Sequence, residues 1–217
     1  MPAIAAVPPS VRCYAFRMET SPNGHIHTHH HAVQFYGNDI SLFTTVGGFI
    51  SEGLVAGQPA VIIATESHRE AIVEQLTTRL IDVKEAERIG DLVLVDADEA
   101  LATFMTESGP DAEAFERNIG GVMQKILNGR PRAVVRAYGE MVDVLWKEGR
   151  TEAAIKLEIL WNRLATSYQF ALLCGYSMGS FYKQAEQFQE VCRQHTHVLD
   201  TDTNVVVFDA QRAVKTA

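Results

Sequence analysis

The chain alternates between short, wholly apolar runs and longer stretches in which apolar residues recur every three or four positions. The runs are rich in Val, Ile, Leu and Phe and do not alternate with polar residues, which is typical of strands buried on both faces of a mainly parallel sheet. Six runs predict strands, the last of them weakly: 32–36, 60–64, 92–95, 133–138, 170–176 and 205–208.

The stretches between the runs have the period of amphipathic helices. Two apolar stripes are clean, one at Phe115, Ile119, Val122 and Ile126, the other at Ala154, Leu157, Trp161, Leu164 and Tyr168. Further helices are predicted near 41–55, 67–80, 98–106, 141–147 and 180–195, with helix ends at Gly53 or Gly57 and at Gly129 before Pro131. Strands separated by helices imply right-handed crossovers and an α/β fold, a three-layer sandwich with a mainly parallel sheet flanked by helices.

The two ends of the chain differ from its middle. Residues 1–30 contain several Pro and one Gly and sustain no period, which predicts a flexible leader that carries His25, His27, His29 and His30. Imidazoles suit transition metals, but no Cys or carboxylate stands beside this cluster, so we predict no metal site there and expect His31 to begin the first strand. One domain is expected over 31–197, followed by a strand and tail over 198–217.

Composition excludes several classes of function. The net charge is −8, and the basic residues are scattered among acids, so we expect no nucleic-acid partner. The apolar runs are too short to span a bilayer, and no secretory signal is recognisable at the N-terminus. Three cysteines, Cys13, Cys174 and Cys192, do not make a disulfide framework. We therefore expect a cytoplasmic protein without membrane contact.

Ligands of open α/β sheets bind at the carboxyl ends of the strands. The segments that follow the predicted strands combine aromatic rings, hydroxyls and carboxylates, as a small-molecule pocket does. The candidate ligand-binding residues there are Tyr36, Asn38, Thr65, His68, Tyr138, Glu140 and Tyr176. Trp146 and Trp161, on adjacent predicted helices, would add an apolar lining if they were exposed together.

Structural roles compete with each of these assignments. Asp39, Ser67 and Asp98 occupy positions where a helix N-cap is expected. Glu140 is either a first-turn acid favoured by the helix dipole or a site residue, and the sequence leaves both open. The three tyrosines and two tryptophans serve equally well as core anchors. Cys174 lies in an apolar run, which predicts an inert buried thiol.

Two motifs bear on catalysis. The turn after the first strand, Tyr36-Gly-Asn-Asp39, has one glycine, no lysine and an acid, so it does not form a phosphate-binding loop. Gly175-Tyr-Ser-Met-Gly179 has the spacing of a nucleophile elbow, which needs an acid and then a histidine further along the chain. Only His195 and His197 follow Ser177, and no Asp lies between Ser177 and these histidines. We therefore expect no enzymatic activity and no cofactor.

An ordered series of motifs from residue 31 to 197 resembles the MEDS domain, the sensory domain of methanogens, methylotrophs and the dichloromethane regulator. The resemblance is carried by His31-Ala-Val-Gln-Phe-Tyr36, Phe49-Ile-Ser-Glu-Gly-Leu54, Ile62-Ile-Ala-Thr65, Gly90-Asp-Leu-Val-Leu-Val-Asp96, Tyr138-Gly-Glu-Met-Val142, Leu157-Glu158, Leu160-Trp-Asn162 and Phe170-Ala-Leu-Leu-Cys174.

The resemblance implies a cytoplasmic sensory module of bacterial or archaeal signalling proteins that detects small molecules, including simple hydrocarbon derivatives. It also implies a core similar to the RecA and KaiC ATPases with the phosphate loop lost, and no established catalytic set. About twenty residues follow the module, too few for an output domain, so we expect a separate signalling partner, such as a kinase or regulator, or a homo-oligomer. Two alternatives stay open: a degenerate RecA/KaiC-like nucleotide-binding protein, and a protein–protein adaptor.

Overall fold

The computed structural model describes residues 30–130, 132–181, 185–199 and 206–209, and for Ala185 and residues 206–209 it describes the backbone alone. The strands are β1 His30–Tyr36, β2 Ala60–Ala64, β3 Leu92–Asp96, β4 Met105–Thr106, β5 Gly109–Pro110, β6 Val135–Gly139, β7 Phe170–Ser177, β8 His197–Leu199 and β9 Val206–Asp209. The predicted leader and its histidine cluster before His30, and the tail after Asp209, lie outside the described residues.

The helices follow the predicted alternation with the strands. They are α1 Asp39–Val55, α2 Glu66–Thr78, α3 Val83–Arg88, α4 Ala97–Ala102, α5 Ala112–Phe115, α6 Gly121–Leu127, α7 Met141–Lys147, α8 Thr151–Leu164 and α9 Ala185–Gln194. A π-helical turn, Glu116–Gly120, joins α5 to α6, and a 3₁₀ turn, Met178–Phe181, follows β7.

The main sheet has the strand order β3-β2-β6-β7-β1-β8-β9. Strands β3 to β8 in this order are all parallel to their neighbours, and β9 pairs antiparallel with β8. Strands β2 and β6 are buried along their whole length, and β1 and β7 at all but one residue each. The prediction of a parallel sheet covered on both faces is therefore confirmed.

Helices cover the two faces unequally and make a three-layer sandwich, as predicted. One face packs against α1, α2 and α3 through an apolar cluster that includes Leu42, Ile50 and Leu76. The other face packs against α4 to α9 through a larger cluster that includes Phe115, Trp146, Trp161 and Phe181. Because neighbouring residues of a strand point to opposite faces, the parity of a strand residue decides which layer its side chain enters.

Some local predictions are wrong. The N-caps of α1, α2 and α4 are Asn38, Thr65 and Asp96, so the predicted caps Asp39, Ser67 and Asp98 lie in the first turns instead. The helix predicted over 98–106 ends at Ala102, because Met105–Thr106 pairs antiparallel with Gly109–Pro110. Helix α3 and strand β8 were not predicted, since both are too short to show a period.

Within the described part of the chain, every helix is too short or too polar to cross a lipid bilayer.

The close packing of α1 on β6 yields a test of the fold. A Cβ added at Gly53 would overlap Cγ of Arg136, whose guanidinium lies 4.9 Å from the ring centroid of Phe49. A Cβ at Gly48, in the same helix, would meet nothing within 4 Å. Gly53→Ala should therefore lower the free energy of unfolding by about 1–3 kcal/mol, and Gly48→Ala should raise it by about 0.5–1 kcal/mol. Denaturant unfolding of both variants measures this, and an equal effect of the two would contradict the packing.

Candidate functional site

The carboxylate of Glu140 lies directly after β6 and is only 3% exposed. Its Oε1 accepts hydrogen bonds from the backbone N–H and the hydroxyl of Thr65, at 2.6 and 2.7 Å. Its Oε2 accepts from the hydroxyl of Tyr138 at 3.0 Å and lies 2.6 Å from Nδ1 of His68. One carboxylate thus joins the end of β6 to the turn between β2 and α2.

The sequence left two roles open for Glu140, a first-turn acid favoured by the helix dipole and a site residue. Glu140 stands at the N-cap position of α7, but its side chain makes no capping hydrogen bond. The carboxylate is turned towards the neighbouring strand end instead, where it meets Thr65 and His68. Capping of its own helix therefore does not account for the residue.

The electrostatics of this contact favour an ion pair. Burial alone would raise the pKa of Glu140, but the hydrogen bonds and charge of His68 and the bonds from Thr65 lower it below its ordinary value. The hydrogen bond to Glu140 in turn raises the pKa of His68 above 6.5, against the opposing effect of burial. Each partner therefore stabilises the charged form of the other.

A second carboxylate, Asp143, extends the site and was missed by sequence reasoning. Its Oδ2 accepts a hydrogen bond from the hydroxyl of Tyr36 at 2.8 Å, and its Oδ1 accepts one from the N–H of Ser177 at 2.9 Å. The ammonium of Lys147 lies 2.8 Å from Oδ2 and also donates to the Tyr36 hydroxyl at 3.3 Å. Asp143 therefore joins the ends of β1 and β7 as Glu140 joins those of β2 and β6.

These contacts define what we call the carboxyl-edge cluster, which consists of Tyr36, Thr65, His68, Tyr138, Glu140, Asp143 and Lys147. Most of its members are buried, but the His68 side chain is 15% exposed and that of Lys147 is 51% exposed. A molecule that approaches from solvent therefore meets His68 and Lys147 first, with the two buried carboxylates behind them.

The sheet separates the other predicted site residues from this cluster. Tyr36 and Tyr138 enter the layer of α1 and α2, whereas Tyr176 enters the opposite layer. The reason is register: Tyr176 is paired with Phe35, one residue before Tyr36, and shares the face of that residue. The prediction that Tyr36, Tyr138 and Tyr176 line one site is therefore wrong.

Both tryptophans are core residues. Trp146 is 3% exposed and packs edge-to-face against Tyr176, and Trp161 is 1% exposed and packs edge-to-face against Phe115. The hypothesis that they form an exposed groove or contact surface is wrong, because they lie inside the larger apolar cluster. Asn38 is exposed, and its side chain accepts the N–H of Ser41, so it serves as the N-cap of α1.

The segment Gly175–Gly179 does not have the strand-turn-helix geometry of a nucleophile elbow. Ser177 ends β7 and is followed by a 3₁₀ turn rather than the helix that an elbow requires. His195 is buried beside Glu158, and His197 lies in β8. Among the hydrogen bonds of the described residues, none joins the Ser177 hydroxyl to a histidine.

Two surface hollows with described linings lie elsewhere. One, of about 490 Å³, is bordered by Glu113, Arg117 and Arg163, and the other, of about 340 Å³, by Glu107, Arg150 and Lys156 among others. Neither lining contains a residue of the carboxyl-edge cluster.

Comparisons with known proteins agree with this architecture. Residues 30–196 match a family model described as the MEthanogen/methylotroph, DcmR Sensory domain, abbreviated MEDS. A KaiC-like protein from the hyperthermophilic archaeon Pyrococcus horikoshii OT3 has a similar structure, with a TM-score of 0.51 and 16% identity over 78% of this chain and 69% of that one. The comparison with curated proteins found no match. The structural similarity confirms the predicted RecA/KaiC-like fold.

The His68–Glu140 pair should give the protein a characteristic pH dependence. The raised pKa of His68 gives stability that is full below pH 6.5 and is lost as pH rises through the folded-state value. The lowered pKa of Glu140 gives stability that is present above pH 4.5 and is lost as pH falls through its folded-state value. The stability difference between the wild-type protein and His68→Gln should therefore be largest between pH 4.5 and pH 6.5.

Denaturant unfolding from about pH 4 to about pH 9 measures this difference, because the variant keeps a hydrogen-bond donor but has no titrating group at position 68. A difference that stays constant over the whole range would contradict the ion pair.

Proposed function

This chain belongs to the MEDS sensory-domain family, and we propose that it is a non-catalytic sensory module that binds a small molecule at the carboxyl-edge cluster. The observation that carries the proposal is Glu140, a charged group held at the carboxyl ends of central parallel strands. Buried charges are poor stabilisers compared with apolar packing, whereas this edge is where open α/β sheets bind their ligands. A ligand-binding role therefore explains the residue better than stability does.

The charges of the cluster favour an uncharged or cationic ligand. Asp39, Glu140 and Asp143 all act on the hydroxyl of Tyr36 and, together with burial, raise its pKa. A phosphate at this edge would face the same three carboxylates, which outnumber the two cationic groups there, His68 and Lys147. The first turn of α1, where a RecA-like protein would hold phosphate, is capped by the side chain of Asn38. We infer that a small alcohol, amine or similar hydrocarbon derivative suits the site better than a nucleotide.

The contacts of Glu140 suggest how binding becomes a signal. The N–H and hydroxyl of Thr65, the N-cap residue of α2, both donate to Glu140, and His68 in the first turn of the same helix contacts it too. A ligand that takes over one of these bonds would release the start of α2 from β6. The signal would pass to a separate kinase or regulator, or to a second copy of the chain, through that displaced helix.

Glu140→Gln tests the site, with Glu66→Gln as the matched control because Glu66 is an exposed acid at the start of α2. The probes are a panel of short alcohols and amines, with magnesium ATP as a separate arm. At least one member of the panel should stabilise the wild-type protein against heat. Its affinity should fall by about 10- to 100-fold in Glu140→Gln, the loss expected for a hydrogen bond to a charged group, and should be unchanged in Glu66→Gln.

Other outcomes would contradict the proposal. Strong stabilisation by magnesium ATP would support the nucleotide-binding alternative. No stabilisation by any probe, together with no small molecule in native mass spectra of protein purified gently from its host, would favour an adaptor. An equal loss of affinity in both variants would exclude the carboxyl-edge cluster as the binding site.

A further inference from the structure

Four side chains with metal-binding atoms meet in the core, on the opposite side of the sheet from the carboxyl-edge cluster. His31 comes from β1, Glu158 from α8, Cys174 from β7, and His195 directly follows α9. We call this set the buried His–Cys–Glu cluster. Its members are at most 2% exposed. The chain therefore brings together, from four separate elements, a donor set that water does not reach.

The contacts within the cluster are close to those of a tetrahedral metal site, with both carboxylate oxygens of Glu158 taking part. Nε2 of His31 lies 3.3 Å from Sγ of Cys174 and 3.2 Å from Oε2 of Glu158. Nε2 of His195 lies 3.4 Å from Oε1 of Glu158, and Sγ lies 3.7 Å from Oε2. One donor atom from each residue can be chosen so that all four lie within 4.8 Å of one another. Ligand atoms about 2.0–2.3 Å from a tetrahedral zinc ion lie roughly 3.2–3.8 Å apart.

Both histidines are held so that the same nitrogen points inward. Nδ1 of His195 lies 2.7 Å from the carbonyl of Val191, which can only accept a hydrogen bond. Nδ1 of His31 lies 2.9 Å from Oδ1 of Asn162, whose amide N–H₂ donates to the carbonyl of Gln194 and so fixes the orientation of the amide. Each Nδ1 therefore carries a proton, and each Nε2 faces Glu158. Metal-binding histidines are oriented by outer contacts of this kind.

The charges of the cluster favour a divalent cation at its centre. The hydroxyl of Tyr176 donates a hydrogen bond to Oε1 of Glu158 at 2.9 Å, which suits a carboxylate oxygen. A bound metal ion would hold the Cys174 side chain as a thiolate. One carboxylate, one thiolate, two neutral imidazoles and a divalent ion sum to zero charge. A shared proton could join only two of the four donor atoms, whereas a central cation contacts all four at once.

We propose that His31, Glu158, Cys174 and His195 bind one divalent transition-metal ion of the zinc class. Nitrogen and sulfur donors select such an ion over magnesium or calcium, and four protein ligands leave no position for a substrate, which is typical of a structural site. The ion would tie α8 and the end of α9 to the centre of the sheet.

Cobalt titration of the full, untagged chain tests the proposal. His25, His27 and His29 are first replaced by Ala, so that imidazoles outside the buried cluster do not contribute to the cobalt signal. The protein should take up about one equivalent of Co²⁺, with the visible absorption of tetrahedral cobalt and a thiolate-to-cobalt charge-transfer band in the near ultraviolet. Zinc should abolish both signals, and a strong chelator should lower the thermal midpoint of the zinc-loaded protein.

Variants assign the ligands. Cys174→Ser should lose the charge-transfer band, whereas Cys192→Ser, the matched control in α9, should keep it. Asn162→Ala, which removes an outer contact of His31, should weaken cobalt binding by about 10- to 100-fold while keeping the band. If Cys174→Ser does not fold, His195→Gln replaces it, with loss of tetrahedral absorption expected.

The proposal is overturned if the parent chain, with His25→Ala, His27→Ala and His29→Ala, shows no charge-transfer band, if the band survives in Cys174→Ser, or if it disappears in Cys192→Ser. Titration and chelation of the parent chain need no change within the buried His–Cys–Glu cluster, so a folding defect in a ligand variant leaves the test intact.

Discussion

The central strands are covered by helices on both faces, and this constraint governs every polar group that the sheet carries. A strand buried on two sides offers its side chains no water, so each polar atom must find a partner inside the protein. Among the buried carboxylates that meet this need, Glu140 contacts residues in the layer of α1 and α2, and Glu158 lies in the opposite layer. The polar residues of β1, β6 and β7 that concern function are organised around these two groups or around Asp143.

The two carboxylates differ in their access to solvent, and this difference separates their proposed roles. Glu140 lies at the end of the sheet behind His68, whose side chain is partly exposed. Its hydrogen bonds can be exchanged for those of an incoming molecule without opening the core. Glu158 lies on α8 and is fully buried, and its partners come from the start of β1 and from β7. A group bound there could leave only if helices moved, which suits a permanent structural ion.

The architecture could be predicted because each strand is a compact apolar run and each long helix has a clear stripe. For example, the strand predicted over 60–64 has the same bounds as β2. The clusters could be predicted only in part. Tyr36 and Tyr138 lie at the carboxyl ends of strands, and Thr65, His68 and Glu140 follow strands. The rule for open sheets finds such residues. Asp143 lies in the first turn of α7, where an acid is common and does not by itself indicate a site.

The residues of the buried His–Cys–Glu cluster could not be grouped from the sequence, for a different reason. His31 and Cys174 lie within apolar runs and were interpreted singly, as a strand start and an inert thiol. Glu158 carried a usable signal: it follows Ala154 by four residues and precedes Trp161 by three, so it lies on the apolar face of α8. An acid on a buried face needs a partner. Which partner it meets depends on the strand order, and β7 beside β1 brings together residues 143 positions apart in the chain.

The relation to the RecA/KaiC fold explains why the carboxyl edge is available for another ligand. In such a sheet the turn after β1 would hold phosphate through backbone N–H groups at a helix start. Here Asn38 caps that helix, and Asp39 adds a negative charge to its first turn. The neighbouring strand ends carry Glu140 and Asp143, which would repel phosphate further. On our proposal the edge is the binding site of this fold, and its charge suits a small uncharged or cationic molecule better than a nucleotide.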